Sequence, residues 1–368
     1  MNRTHFLRAL PLPAVSLMPS AAQAATHTAE VSHEYVRHVI AVNQKIVSPD
    51  GIEELRSIDV HGCTQWLSIR GRDLSNPVLL YIHGGPGSPT MPESWTFQSP
   101  WEDFFTVVQW DQRGAGKTYA SNDPATIAPT MTAQQMIADT EFVVRFLLEH
   151  LGQRKLFALG HSWGSYLGLE LARRHPEWLY GYVGTGQMID TQRSEAEGYE
   201  FALRQATLHH NSAAIAELRT IAPYPGPIGT LTVKRIGVQR KWLVYYGGLT
   251  YGRTNFDYDG DAWQFSPDYT GRDIRLADDG SLFSLNHLIG VVERTNFESA
   301  TEFACPIFIF QGSHDYETSY PVVKEWFARV RAPRKRFVTF SRSAHMAMLE
   351  QPGEYLLQLV DVVRPAAA

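Results

Sequence analysis

Cysteine is nearly missing from this chain, which has Cys63 and Cys305 and no others in 368 residues. Two thiols can form at most one bridge, so a disulfide-stapled scaffold is excluded, and no Cys/His spacing suggests a zinc site. Both cysteines lie in strand-like stretches, where a small buried core residue is the expected role. Basic charge is not in excess either. Lysine and arginine total 33 against 38 acids, for a formal charge of −5, so there is no electrostatic reason to expect nucleic acid or an anionic membrane surface as partner. The one basic cluster, "RAPRKR" at 331–336, reads as a solvated helix end. Beyond the first two dozen residues no apolar run approaches the roughly 18 residues that a membrane span needs, so no membrane insertion is expected. No family of internal repeats is visible, which sets aside solenoids and propellers.

What is present begins with an unusual amino terminus. "MNRTHFLR" carries Arg3 and Arg8 without an acid, "ALPLPAVSLM" is an apolar run of signal-peptide length, and "AQA" (Ala22 to Ala24) places small residues at a cleavage position. Residues 1–24 are therefore expected to be a signal peptide, with the remainder exported to the periplasm or secreted. That remainder has the make-up of a folded soluble protein, the whole chain being 44% hydrophobic and 19% charged.

From about Ser57 strand signals alternate with helix signals. "RSIDV" and "TQWLSIRG" suit a hairpin, and "PVLLYIHGG", "FTVVQW", "KLFALG", "LYGYVGTG", "PIFIFQG" and "RFVTFS" are short apolar runs of the kind buried on both faces of a sheet. Between them, Thr132 and Gln135 predict a capping box, and Met136, Thr140, Val143, Val144, Leu147 and Leu151 recur on one helical face up to Gly152. Such alternation predicts an α/β fold, a mostly parallel sheet flanked by helices. It stops between "LYGYVGTG" and "PIFIFQG", where helical patterning, a proline-rich break ("APYPGPIG") and an aromatic stretch intervene. The simplest division has a first core part at 25–186, an inserted helical cap at 187–300 and a second core part at 301–368. The cap is expected over the carboxyl edge of the sheet, where open sheets of this kind bind ligands.

One serine stands out against this pattern. Gly160, Ser162 and Gly164 form G-x-S-x-G with a strand before and a helix after, the context in which a sharp turn lifts a hydroxyl clear of the sheet. A serine nucleophile needs a base, and the base needs an orienting carboxylate. Asp315 follows "PIFIFQG" and His345 follows "RFVTFS", so the chain order Ser, Asp, His and the loop positions both fit a triad. A developing oxyanion needs backbone donors; the amide of Trp163 is one candidate, and the loop "HGGPG" (His83 to Gly87), with Gly84 supporting and Gly85 donating, is the other. "GAGKT" (Gly114 to Thr118) is a decoy, because a phosphate-binding loop requires glycine where Asp111 stands. No cofactor or metal is expected.

Taken together, "HGGPG", "DQRGAGKT" and "GHSWGSYLG" resemble the prolyl aminopeptidase (proline iminopeptidase) branch of the α/β-hydrolase superfamily, over about 51–187 and again from Cys305 to the end. The resemblance implies an α/β-hydrolase fold, Ser162, Asp315 and His345 as catalytic residues, Gly85 and Trp163 as oxyanion hole, and Asp111 and Arg113 as supporting residues. In the cap it weakens. Members of the branch hold the substrate's α-amine with acidic cap residues, one in a W-x-x-W-E pattern; here "WLVYYG" keeps Trp242 but has Tyr245 and Tyr246 in place of Trp and Glu. Trp242 and Tyr246 are thus the substrate-binding candidates, with Glu195, Glu197, Asp257 and Asp259 as acids that could substitute. The expected reaction is hydrolysis of a small amide or ester through an acyl-enzyme. A short peptide or amino-acid amide with a free amino terminus is one substrate; an uncharged ester or lactone is the alternative, and an inactive binding protein on the same fold is the reading from another class.

Overall fold

The computed structural model describes residues 32–368; the expected signal peptide, residues 1–24, lies outside them. Eight strands form one sheet in the order β1-β2-β4-β3-β5-β6-β7-β8. β1 (Ile52–Val60) and β2 (Cys63–Gly71) are the antiparallel hairpin, and β2 pairs antiparallel with β4 (Thr106–Asp111). From β4 onward the sheet is parallel, through β3 (Val78–Ile82), β5 (Leu156–His161), β6 (Leu179–Thr185), β7 (Ile307–Gly312) and β8 (Lys335–Phe340).

The central strands read as unbroken apolar runs because both faces are covered. Along β3, Leu80 and Ile82 enter one core with Val143, Val144 and Leu147, whereas Leu79 and Tyr81 enter a second with Trp101, Phe157 and Tyr355. Alternation with period two thus divides a single run between two layers of helices. α1 (His33–Asn43) precedes the sheet; α2 (Gly116–Ser121), α3 (Ala133–His150) and α4 (Trp163–Arg174) follow β4 and β5; α10 (Tyr320–Arg329) and α11 (Pro352–Gln358) complete the flanks, while α5 to α9 belong to the long excursion described next.

Between β6 and β7 the chain leaves the sheet as five helices, α5 (Thr191–Leu208), α6 (Ser212–Arg219), α7 (Val233–Tyr245), α8 (Asp257–Gln264) and α9 (Gly271–Arg294). Asp190 and Asn296 form an isolated antiparallel bridge at the base of this excursion. It carries a small core of its own, with Tyr199, Ala202, Leu218 and Trp242 among its residues. No described helix is long and apolar enough to cross a membrane.

One detail differs from expectation. Thr132 Oγ1 accepts from Gln135 N at 3.2 Å, but the Gln135 side chain does not return the bond; it donates to Asp139 Oδ1 at 2.7 Å, so only half of the capping box forms. Lys117 of the decoy "GAGKT" pairs with Asp273 at 2.8 Å over the rings of Trp66 and Tyr269, fastening α2 to the start of α9. Cys63 and Cys305 are both buried and unbridged.

Candidate active site

β5 ends at His161, and α4 begins at Trp163, so Ser162 alone makes the turn between them. Its φ of 52° and ψ of −122° are conformations that a side-chain-bearing residue adopts only at a cost of roughly 1–3 kcal/mol. The neighbours make the bend possible. A Cβ on Gly164 would lie 1.9 Å from the carbonyl oxygen of Ile82, and one on Gly160 would lie 2.4 Å from that of Gly164, so neither position admits a side chain. Ser162 is held by its own backbone, its amide donating to Thr185 O at 3.0 Å and its carbonyl accepting from Ser165 N at 2.8 Å.

Asp315 and His345 come together from the loops after β7 and β8. His345 Nδ1–H donates to Asp315 Oδ2 at 2.8 Å. The same oxygen accepts from Gln311 Nε2 at 2.7 Å and Thr318 Oγ1 at 2.8 Å, and Oδ1 accepts the amides of Glu317 and Thr318. Burial by itself would raise this carboxyl, but the charge of His345 and the surrounding donors hold it below the usual carboxylate range. On the imidazole the balance runs the other way. Burial disfavours the cation, yet the carboxylates of Asp315 and Glu317 outweigh it and push His345 up to about 9. His345 Nε2 is buried and has no hydrogen-bond partner among the described residues.

Ser162 and His345 line one cavity of about 500 Å³, together with Gly84, Gly85 and His161. A Cβ on Gly84 would stand 3.0 Å from Ser162 Cβ, which explains the glycine beside the nucleophile candidate; Gly85 has a φ of 111°. The amide of Trp163, first residue of α4, is among the N–H groups that a helix leaves without an internal partner. The candidates from four separate stretches of sequence therefore meet at the carboxyl edge of the sheet.

Other candidates do not line this cavity. Asp111 is fully buried, its Oδ2 accepting from Lys117 N at 2.7 Å and from the Tyr269 hydroxyl, and burial pushes its carboxyl up to about 7. Arg113 forms a two-point pair with Asp139 at 2.8 and 3.1 Å and donates to Val60 O, tying α3 to the hairpin. Both support the fold around the site at one remove. Trp242 and Tyr246 also lie away from this cavity. Trp242 packs in the core of the helical excursion and donates to Glu217 Oε2 at 2.9 Å, while Tyr246 borders a separate outer groove with His209 and Tyr251. Helix α7 turns its Ile236 and Arg240 face to the cavity, and Trp242 and Tyr246 lie on other faces. Of the substitute acids, Glu195 and Asp259 line the cavity; Glu197 pairs with Arg193, and Asp257 accepts from Asn255.

Several contributors are not singled out by the sequence, although Gln112 and His161 lie inside the quoted motifs. Gln112 donates to His83 O at 2.8 Å and accepts from Trp163 Nε1 at 3.1 Å, so it joins the glycine loop to the start of α4. His161 Nε2 donates to His345 O at 3.1 Å, and its position next to Ser162 is the only signal for it. Glu93, Arg240 and Glu317 also reach the cavity, from elements distant in sequence.

The sheet order and the strand–turn–helix at Ser162 define an α/β-hydrolase. Residues 77–352 match the family model for the alpha/beta hydrolase fold, and the chain belongs to that family. It is 30% identical over 303 residues to the probable aminopeptidase YbaC of Bacillus subtilis, spanning 81% of this chain and 92% of that one. Similarity to the proline iminopeptidase of Arabidopsis thaliana is more local, 34% over 140 residues, covering 38% of this chain and 33% of that protein. Among solved structures, a proline iminopeptidase-related protein of Thermus thermophilus superposes with a TM-score of 0.60 at 21% identity, over 86% of this chain and 99% of that one, a likeness of fold.

Proposed function

We propose that this hydrolase is a serine enzyme that releases an amino-terminal residue from short peptides or amides through an acyl-enzyme. Ser162 Oγ attacks the carbonyl carbon, its proton passes to His345 Nε2, and the carbonyl electron pair moves onto oxygen facing the amides of Gly85 and Trp163. His345 then gives the proton to the leaving amine, and water repeats the sequence to free the acid. Asp315 keeps Nδ1 protonated, so that Nε2 is the nitrogen presented to the serine.

The observation that carries the substrate class is a pair of carboxylates at the cavity. Asp259 Oδ1 and Glu93 Oε2 are buried without a hydrogen-bond partner among the described residues, and both side chains share the cavity with Ser162. Burial pushes the Asp259 carboxyl up to about 7. A substrate ammonium supplies the missing donor and reverses that shift, whereas a neutral acyl group leaves both oxygens unsatisfied. The names of the relatives point the same way. The second reading, an ester or lactone, draws on the apolar side of the cavity formed by Ile236, Leu249, Phe256, Leu282 and Met346.

Matched aminoacyl arylamides with free and acetylated amines separate the two readings, run beside Ser162→Ala and a fluorophosphonate label. Free amines are expected to win, with Asp259→Asn lowering that preference by about ten- to a hundredfold, the worth of a charge-assisted hydrogen bond. Equal turnover of both forms transfers the reading to esters, and full activity of Ser162→Ala removes the serine mechanism.

A further inference from the structure

Glu317 stands two residues past Asp315, in the turn whose amides hold the Asp315 carboxylate. Its own carboxylate faces elsewhere. Oε1 meets Arg240 Nε at 3.2 Å, and Oε2 lies 3.8 Å from His345 Nε2. The imidazole is therefore flanked by carboxylates at both nitrogens, one in full hydrogen-bond contact and one just beyond it. Arg240 is anchored on its far side by Glu195, at 2.9 Å from Nη1 to Oε2, so a guanidinium from α7 fixes where Glu317 stands.

The other ionisable groups packed about His345 do not replace this contact. His161, at the end of β5, lies with its ring centre 4.8 Å away and is held neutral, pushed down to about 3 by burial and then by the charge of His345. His83 lies behind it, lowered to about 4 by burial. Glu350, on the short helix Ala347–Glu350 after His345, spends its oxygens on the amides of Ala344 and Tyr251. Among these groups Glu317 is the one whose carboxylate approaches the Nε2 edge, the edge on which Ser162 must deliver its proton.

We propose that Glu317, restrained by Arg240, is a positioning residue for His345: it keeps the proton on the Nε2 edge of the resting enzyme and so sets the pH above which His345 accepts the proton of Ser162. This rests on the serine-hydrolase reading above. When Ser162 Oγ bonds to the substrate carbon, its proton moves to Nε2, and the imidazolium N–H so formed is met by the same carboxylate. Glu317 thus favours the charge both before the reaction, where it delays activity to higher pH, and during it, where it helps.

The test is the pH dependence of Ser162 labelling by an uncharged fluorophosphonate, which avoids the ionisation of a substrate amine. In the unsubstituted protein the rate is expected to rise along an alkaline limb. Glu317→Gln moves that limb down by about one pH unit, roughly a tenfold larger fraction of neutral imidazole at a pH well below it. A purely structural role lowers rates at every pH without moving the limb. Glu317→Asp serves as a second variant, with a shift in the same direction as Gln and smaller. Labelled Ser162 with coincident limbs overturns this proposal alone; failure of Ser162 to label in the unsubstituted protein overturns the serine reading and this proposal with it.

Discussion

Replacing Asp139 by alanine tests whether the D-Q-R-G segment works through the fold or at the reacting atoms. Asp139 is fully buried on α3, and its two oxygens meet five side-chain nitrogens: Arg113 Nε at 2.8 Å, Arg113 Nη2 at 3.1 Å, Gln65 Nε2 at 2.7 Å, Gln135 Nε2 at 2.7 Å and His61 Nδ1 at 3.0 Å. The Arg113 side chain is 1% exposed, so the alanine variant strands a guanidinium that, among the described residues, keeps Val60 O and Thr130 Oγ1 alone. Breaking a buried pair by removing one partner costs about 3–5 kcal/mol, and the lost Gln65 bond adds about 1 kcal/mol. Against a typical total of about 5–15 kcal/mol the variant is folded but close to its limit. Urea unfolding followed by tryptophan fluorescence should show the midpoint falling with little change in slope. Among molecules that remain folded, kcat/KM is expected to stay within about threefold, because no atom of the pair reaches the cavity. The double variant Asp139→Ala with Arg113→Met recovers much of the loss, since no charge is left alone. A collapse of kcat/KM at an unchanged urea midpoint refutes this reasoning and returns Arg113 to the site.

Two further outcomes follow from the same geometry. Tyr246→Glu should leave the preference for a free amine unchanged in the arylamide comparison, because Tyr246 borders the outer groove; a marked rise places that residue at the substrate after all. His83 and His161 are buried neutral, lowered to about 4 and about 3, whereas in the unfolded chain each titrates near 6.5. Their folded values are depressed, so their contribution to stability is complete above pH 6.5 and is lost as pH falls towards the folded values. Between pH 6.5 and pH 5 each removes about 2 kcal/mol, and unfolding free energies measured across that interval should fall less in His161→Gln than in the unsubstituted protein. Parallel curves for the two proteins count against the buried neutral imidazole.

Much of the architecture is legible in the sequence because its determinants are local. A strand covered on both faces must be a short apolar run, and each such run from "PVLLYIHGG" to "PIFIFQG" forms a buried strand; "RFVTFS" also forms a strand, but at the sheet edge, with Lys335, Arg336 and Thr339 exposed rather than covered on both faces. The hairpin begins earlier than its apolar signal. In Ile52–Val60 alternate residues are exposed, so the first part of β1 carries no apolar run to announce it. α1 also goes unannounced, although its segment "HEYVRHVIAVN" carries Val36, Val39, Ile40 and Val42; none of its residues is buried. The half-formed capping box fails where Asp139, four residues further along the same helix, takes the Gln135 side chain instead.

At the site, the groups written plainly into the chain are those whose chemistry requires a fixed local frame. Ser162 needs glycines within two positions, because backbone passes within 2.4 Å of where their Cβ atoms would be, and that demand occupies five consecutive residues. Asp315 and His345 are readable from a strand followed by a loop, since a parallel sheet brings the carboxyl ends of its strands to one edge. Which residues of the helical excursion face that edge is settled by packing between elements far apart in sequence. A helix presents a different face every 100° or so, and the choice depends on the helices packed against it, so Trp242 goes to a core, Tyr246 to an outer groove and Arg240 to the cavity. Carboxylates look alike in a sequence. Asp139, Glu317 and Asp259 part company only when burial and neighbours are known: the first is saturated by five contacts, the second leans toward His345, and the third keeps an oxygen open to the cavity.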